Sequence, residues 1–199
     1  IAKILNKPDD AEHYNQLADK IQNAFDKKFL KEDGTVSTGS QTAQACSLFH
    51  GMIPAYKQAA VYGKLLEKIK GANDHHATGY LGTKAIYRLL SDRGQHELAY
   101  KMVTQKDCPS YGYWIEEGFT TLNEMWPGGK GAGRGGSNNH PWSGDISAWF
   151  YQYLAGINAD PQQPGFKHII IHPMPVPGLT KASAWHRSPY GIVRSSWRI

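Results

Sequence analysis

The residues best suited to chemistry lie in one aromatic and acidic stretch, residues 111–126. Two tryptophans and three glutamates stand in it: Trp114, Trp126, Glu116, Glu117 and Glu124. The apolar face of a pyranose stacks on aromatic rings, while carboxylates bind hydroxyl groups and transfer protons. The stretch is therefore typical of a sugar site, and cleavage of a glycosidic bond there would need two carboxyl groups flanking that bond.

Composition does not decide which carboxylates would act. The local candidates are Asp107, Glu116, Glu117, Glu124 and Asp145. Most acidic side chains cap helices or pair with lysines, and that interpretation applies to each of them. Among the five, a catalytic role is best supported for Glu124, because this residue lies between Thr121 and Trp126 within the aromatic stretch.

The first 157 residues must position this stretch, and their apolar residues recur at helical spacing. Six helices are predicted, over about residues 8–29, 45–52, 56–69, 85–90 and 98–103, with a sixth that begins at Ser143 as its N-cap. Residues 107–139 show no sustained period. The fold class is therefore mainly α, and antiparallel helices in succession indicate either part of an α/α toroid or a plain bundle.

The pattern changes at residue 158, so the sequence divides into a helical part, 1–157, and a linker with strands, 158–199. Strands are predicted at residues 168–172, 181–186 and 192–197, the last two joined by the turn 188–191. Three strands cannot close a sandwich or a barrel. We therefore expect the sheet to be completed elsewhere, or the chain to be a fragment.

Several motifs in fixed order resemble glycoside hydrolase family 78, the α-L-rhamnosidases. They are Thr78-Gly-Tyr-Leu-Gly-Thr83, Leu98-Ala-Tyr, Tyr111-Gly-Tyr-Trp114, Gly118-Phe-Thr-Thr121, Glu124-Met-Trp126 and Asn139-His140. The resemblance spans roughly residues 9–173 and is most specific over residues 111–140. It implies an (α/α)6 barrel, of which this chain holds the C-terminal part, followed by the first strands of a C-terminal β-sandwich.

The resemblance also implies roles for individual residues. Glu124 aligns with the general base of an inverting hydrolase, and His140 aligns with a histidine of the sugar pocket. Trp114 and Trp126 are expected as pocket walls, and Glu117 as a further substrate-binding residue. The substrate would be a rhamnose-containing oligosaccharide or glycoside with a terminal α-L-rhamnosyl group.

The family's general acid lies in an earlier acidic segment, and nothing in residues 1–76 resembles that segment. We therefore expect an N-terminal part of the same polypeptide to be the partner of this chain, and the isolated chain to be inactive. Two alternatives remain open. One is a non-catalytic, helical carbohydrate-binding module, and the other is a toroid enzyme of another class that pairs Glu117 with Glu124.

Other signals indicate no further partner. The net charge of +5 comes from scattered lysines and arginines, so a nucleic-acid partner is not expected. No apolar run approaches the length of about 18 residues that spans a bilayer, and the sequence assigns no compartment. Residues 131–136 satisfy GxGxxG but follow no strand, so we expect a mobile loop, with a solvated Arg134, rather than a cofactor site.

The histidines and cysteines do not predict a metal site. His75 and His76 are adjacent, and neighbours in a chain rarely point at one ion. Cys46 and Cys108 make no zinc pattern with the histidines, and both are expected to be buried thiols.

Overall fold

A computed structural model describes residues 1–126 and 136–199, and these residues are mainly helical. The α-helices are α1 (Pro8–Phe29), α2 (Gln41–Phe49), α3 (Ala55–Gly71), α4 (Tyr80–Asp92), α5 (His96–Thr104), α6 (Tyr111–Glu116) and α7 (Asp145–Trp149). A 3₁₀ turn (Pro141–Gly144) leads into α7, and one turn of π-helix (Phe150–Leu154) follows it. The predicted fold class, mainly α with a short β segment at the C-terminal end, is confirmed.

The core forms where α2, α3, α4, α5 and α7 pack together. Its fully buried side chains recur three and four residues apart, as the sequence predicts: Val61, Leu65 and Ile69 on α3, Ile86 and Leu90 on α4, and Ala99 and Met102 on α5. Serine fixes the start of α2, because the Ser40 hydroxyl accepts the Ala43 N–H at 3.1 Å and satisfies one unpaired donor of the first turn.

Helix α1 has the predicted bounds but a different environment. It begins with Pro8, whose missing N–H costs nothing in a first turn, and acidic Asp9 and Asp10 follow. Its apolar residues Tyr14 and Leu17 are nevertheless exposed. The C-terminal end of this face packs against the core at Phe25 and Phe29, whereas Tyr14 and Leu17 stay uncovered by the described elements.

The strands pair in two antiparallel sheets. Strand β1 (Ile157–Ala159) pairs with β2 (Ile169–Ile171), and β3 (Lys181–Ser188) pairs with β4 (Gly191–Arg198). The predicted hairpin and its turn are confirmed, since Ser188 and Gly191 close the β3–β4 ladder. Strand β1 was not predicted, because three residues next to a proline-rich segment carry too little pattern.

The segment before α7 corrects one prediction. Ser143 is not an N-cap, because it lies inside the 3₁₀ turn, which His140 precedes and caps. The Ser143 hydroxyl donates instead to the Asn123 carbonyl at 2.8 Å. Helix α6 was also missed, and its start is marked by Ser110, whose hydroxyl accepts the Tyr113 N–H at 2.9 Å.

The thiols differ from expectation as well. Cys46 is half-buried, whereas Cys108 is exposed in the loop between α5 and α6, so the prediction of a buried thiol is wrong for Cys108.

Residues 131–135 of the glycine-rich motif, with Arg134, lie outside the described residues. Within the described ranges no helix has the length and hydropathy of a membrane span, and no cluster of metal-binding side chains is found.

Candidate active site

Two segments that are distant in sequence lie side by side and carry the site. The Glu124 N–H donates to the Ser137 carbonyl at 2.9 Å, and the His140 N–H donates to the Leu122 carbonyl at 2.7 Å. The Ser137 N–H donates in turn to Oε2 of Glu124 at 2.9 Å. Backbone pairing therefore brings Glu124 and His140, the two residues best supported by sequence, onto adjacent segments, and it fixes one oxygen of the Glu124 carboxylate.

Glu124 lines a pocket of about 420 Å³, a volume that suits a small ligand such as a monosaccharide. The other lining residues combine small, hydroxyl-bearing and aromatic side chains: Thr78, Gly79, Tyr80, Thr83, Tyr111, Met125, Trp126 and Ser143. The pocket therefore combines a half-buried carboxylate with an indole and several hydroxyl groups.

Trp126 is the wall of this pocket, and Trp114 supports it. The indole N–H of Trp126 donates to the Thr78 carbonyl at 2.9 Å, while the indole N–H of Trp114 donates to the Trp126 carbonyl at 2.7 Å. The two indole rings stack with centroids 4.7 Å apart. Trp114 is only 3% exposed. It therefore stands behind Trp126, and is not among the described residues that line the pocket.

His76 also packs on Trp126, a contact that the sequence did not predict. Their ring centroids are 3.9 Å apart, and Nδ1 of His76 lies 2.5 Å from the Tyr87 hydroxyl. Burial, and to a lesser extent His75, lowers the His76 pKa to about 3. The imidazole therefore stays uncharged above that pH, because burial disfavours its charged form.

His75, the neighbour of His76, faces elsewhere. Its two ring nitrogens lie 3.0 Å from the Pro109 carbonyl and 3.1 Å from the Asp107 carboxylate. The adjacent histidines thus perform separate structural tasks. His75 contacts the loop before α6, and His76 packs against Trp126 in the pocket wall.

The remaining candidate carboxylates have partners away from the pocket. Asp107 pairs with His75, and Glu116 pairs with Lys106 at 2.8 Å. Asp145 accepts two hydrogen bonds from Arg88, at 2.5 and 3.1 Å. These contacts are structural, and none of the three side chains lines the pocket in the part of the chain that the structure describes.

Glu117 caps the C-terminal end of α6. It is half-buried and lies near Tyr113, whose pKa is raised by burial first and by Glu117 second. Of the five candidate carboxylates, only Glu124 is among the described residues that line the pocket.

Two further pocket residues had no role in the sequence interpretation. The Tyr111 hydroxyl donates to the Ser143 carbonyl at 3.0 Å, and burial, with a smaller effect of Asp145, raises the Tyr111 pKa. Tyr80 begins α4 and stacks on the His140 ring, with centroids 5.5 Å apart. Tyr80 and Tyr111 belong to two of the motifs that resemble the family, but the order of the motifs does not indicate which of their residues face a cavity.

Comparison with known proteins shows the family of the chain. The family model of the bacterial α-L-rhamnosidase six-hairpin glycosidase domain matches residues 1–154, and that of the bacterial α-L-rhamnosidase C-terminal domain matches residues 156–199. An α-L-rhamnosidase of Formosa agariphila is 36% identical over 100% of this chain. The chain spans 22% of that relative's length.

Solved structures show the same similarity. The α-L-rhamnosidase from Dictyoglumus thermophilum superposes with a TM-score of 0.92 at 40% identity, over 100% of this chain and 22% of that one. The Streptomyces avermitilis α-L-rhamnosidase complexed with L-rhamnose gives a TM-score of 0.91 at 31% identity, over 100% of this chain and 19% of that one. Because the family model of the glycosidase domain covers most of the sequence, the chain belongs to the bacterial α-L-rhamnosidase family of six-hairpin glycosidases.

Proposed function

We propose that this chain forms the general-base side of an active site that cleaves terminal α-L-rhamnosides with inversion. The observation that carries the proposal is the position of Glu124, which alone among the five candidate carboxylates lines the sugar-sized pocket of the described residues. Membership of the α-L-rhamnosidase family and the likeness to a relative complexed with L-rhamnose support rhamnose as the sugar.

In this mechanism, Glu124 takes a proton from a water molecule as that water attacks the anomeric carbon. The Ser137 N–H holds Oε2 and so limits rotation of the carboxylate. Trp126 closes the wall behind the sugar, and Trp114 acts indirectly by keeping that indole in place. His140 is not among the described residues that line the pocket, but it stacks on Tyr80, which does, and from this border we propose that it binds a sugar hydroxyl group. Glu117, at the end of α6, is not among the described residues that line the pocket, and its expected role in binding the sugar stays a prediction.

We place the general acid in residues outside this chain. Asp107, Glu116 and Asp145 each hold a cationic or imidazole partner away from the pocket. An inverting enzyme keeps its two carboxyl groups about 6.5 to 9.5 Å apart, with room for the attacking water between them. We therefore propose that residues 1–157 belong to a catalytic barrel completed by more of the same polypeptide, and that residues 158–199 belong to a β-domain.

The stereochemistry of the product tests this proposal. We expect the protein specified by the full coding sequence to hydrolyse 4-nitrophenyl α-L-rhamnoside and to release β-L-rhamnose first, because the water attacks the face opposite to the leaving group. Proton NMR of the anomeric region during the first minutes measures the anomer before it equilibrates. Release of α-L-rhamnose first would contradict inversion. Binding of rhamnose without release of 4-nitrophenol would instead indicate a carbohydrate-binding module.

A further inference from the structure

The orientation of the His140 ring is fixed from two sides. His140 caps the 3₁₀ turn Pro141–Gly144, and its Nδ1 accepts the backbone N–H of Trp142 at 3.4 Å. The Tyr80 ring lies nearly parallel to the imidazole, at an interplanar angle of 14° and a centroid distance of 5.5 Å. The first contact sets the position of one ring nitrogen, and the second sets the plane of the ring.

The hydrogen bond at Nδ1 also determines where the ring proton sits. A backbone N–H can only donate, so Nδ1 must offer a lone pair to Trp142. An imidazole that accepts through Nδ1 carries its proton on Nε2. His140 therefore offers an Nε2–H donor, and a donor of fixed direction suits a sugar hydroxyl group better than a freely rotating one.

Tyr80 connects this histidine to the pocket. Its ring lines the same pocket as Glu124, and it also contacts Trp142, with centroids 5.0 Å apart. Tyr80 follows the N-cap residue Gly79 as the first residue of α4, so its backbone is held by a helix that belongs to the core. Trp142 lies within the short 3₁₀ turn, and His140 directly precedes that turn.

We propose that Tyr80 is a positioning residue that holds His140 in the Nε2–H form, ready to donate to a hydroxyl group of the bound sugar. This inference rests on the proposed function. Stacking between offset rings contributes beyond simple burial of area. Its loss would let the imidazole rotate away from the sugar, which weakens binding of substrate and transition state alike and so raises KM more than it lowers kcat.

A direct contact between Tyr80 and the sugar is the competing explanation, and a double-mutant cycle separates the two. The variants are Tyr80→Leu, Tyr80→Phe, His140→Ala and Tyr80→Leu with His140→Ala, assayed in the protein specified by the full coding sequence. Tyr56→Leu is the control, because Tyr56 is an exposed tyrosine, 81% accessible, on α3 and outside the pocket.

We expect Tyr80→Leu to lower kcat/KM for 4-nitrophenyl α-L-rhamnoside by about three- to tenfold, mainly through KM. Tyr80→Phe keeps the ring and should recover most of that loss, and Tyr56→Leu should have no effect. Once His140 is alanine, the Tyr80→Leu change should cause no further loss, since two residues that act through one contact are not additive.

Additive losses in the cycle would overturn the inference, because they would mean that Tyr80 acts on the sugar without His140. A loss in Tyr80→Phe as large as that in Tyr80→Leu would overturn it too, since the hydroxyl group would then be the active part. Failure of the proposed function is a distinct result, shown by Glu124→Gln retaining full activity. An inactive Glu124→Gln protein with an additive cycle would refute only the role of Tyr80.

Discussion

Glu124→Gln should lower kcat for 4-nitrophenyl α-L-rhamnoside by about 10²- to 10⁴-fold in the protein specified by the full coding sequence. The amide keeps the shape of the side chain and one oxygen that can accept the Ser137 N–H, which donates at 2.9 Å to Oε2 in the native protein. It cannot take a proton from the attacking water. The measurement is the initial rate of 4-nitrophenol release at saturating substrate, with thermal unfolding followed in parallel to show that the fold is intact.

Two matched variants make this result specific. Glu116→Gln is the same chemical change at a site outside the pocket, where the carboxylate pairs with Lys106 at the surface. An exposed pair of this kind contributes little, so kcat should stay within about twofold. Glu117→Gln tests the alternative in which Glu117 and Glu124 form an acid–base pair. An effect of Glu117→Gln as large as that of Glu124→Gln would favour that alternative, and full activity of Glu124→Gln would refute the base assignment.

The helices that build the core could be predicted from sequence because each buries a stripe of its own residues. Leu65 and Ile69 on α3, and Ile86 and Leu90 on α4, recur at the spacing of one helical face and are fully buried. The spacing of apolar residues does not predict a helix or strand that is only a few residues long. Helix α6 has six residues and depends on the Ser110 cap, and β1 has three residues and depends on pairing with β2.

The site was predictable only in part, for a different reason. Residue types indicated sugar chemistry in residues 111–126, and the ordered motifs favoured Glu124 and His140. The contacts that shape the pocket join residues far apart in sequence, such as the Trp126 indole with the Thr78 carbonyl and with the His76 ring. No local pattern indicates such contacts. Trp114 is an example, since the family resemblance implied a pocket wall, whereas the side chain is buried and stacks behind Trp126.

The second large effect is expected for stability, at a glutamine in the core. Gln44 is fully buried and uses both ends of its amide: Oε1 accepts the Val36 N–H at 2.6 Å, and Nε2 donates to the Gly34 and Val61 carbonyls at 2.9 and 3.1 Å. Gln44→Met keeps the length of the side chain but removes the side-chain partner of the Val36 N–H and of the Gly34 carbonyl, together with a second hydrogen bond to the Val61 carbonyl, which lies within α3. We expect the free energy of unfolding to fall by about 3 to 5 kcal/mol.

Urea unfolding of the chain, followed by far-ultraviolet circular dichroism, measures this loss. Asn123→Leu is the matched comparison, because it also replaces a buried amide by an apolar side chain of similar size. Asn123 is 1% exposed, and neither Nδ2 nor Oδ1 of its amide has a hydrogen-bond partner among the described residues. A change that removes an unsatisfied amide relieves its desolvation, so the free energy of unfolding should stay constant or rise by about 1 kcal/mol.

The contrast between the two variants decides what the Asn123 amide does. If Asn123→Leu destabilises the chain as much as Gln44→Met does, the amide has a partner in solution, such as a buried water molecule. If it does not, the protein keeps a buried amide that weakens the fold, directly before Glu124 on the segment that Ser143 holds through the Asn123 carbonyl. A destabilising group that persists beside a proposed catalytic base is the pattern expected where activity, rather than stability, sets the choice of residue.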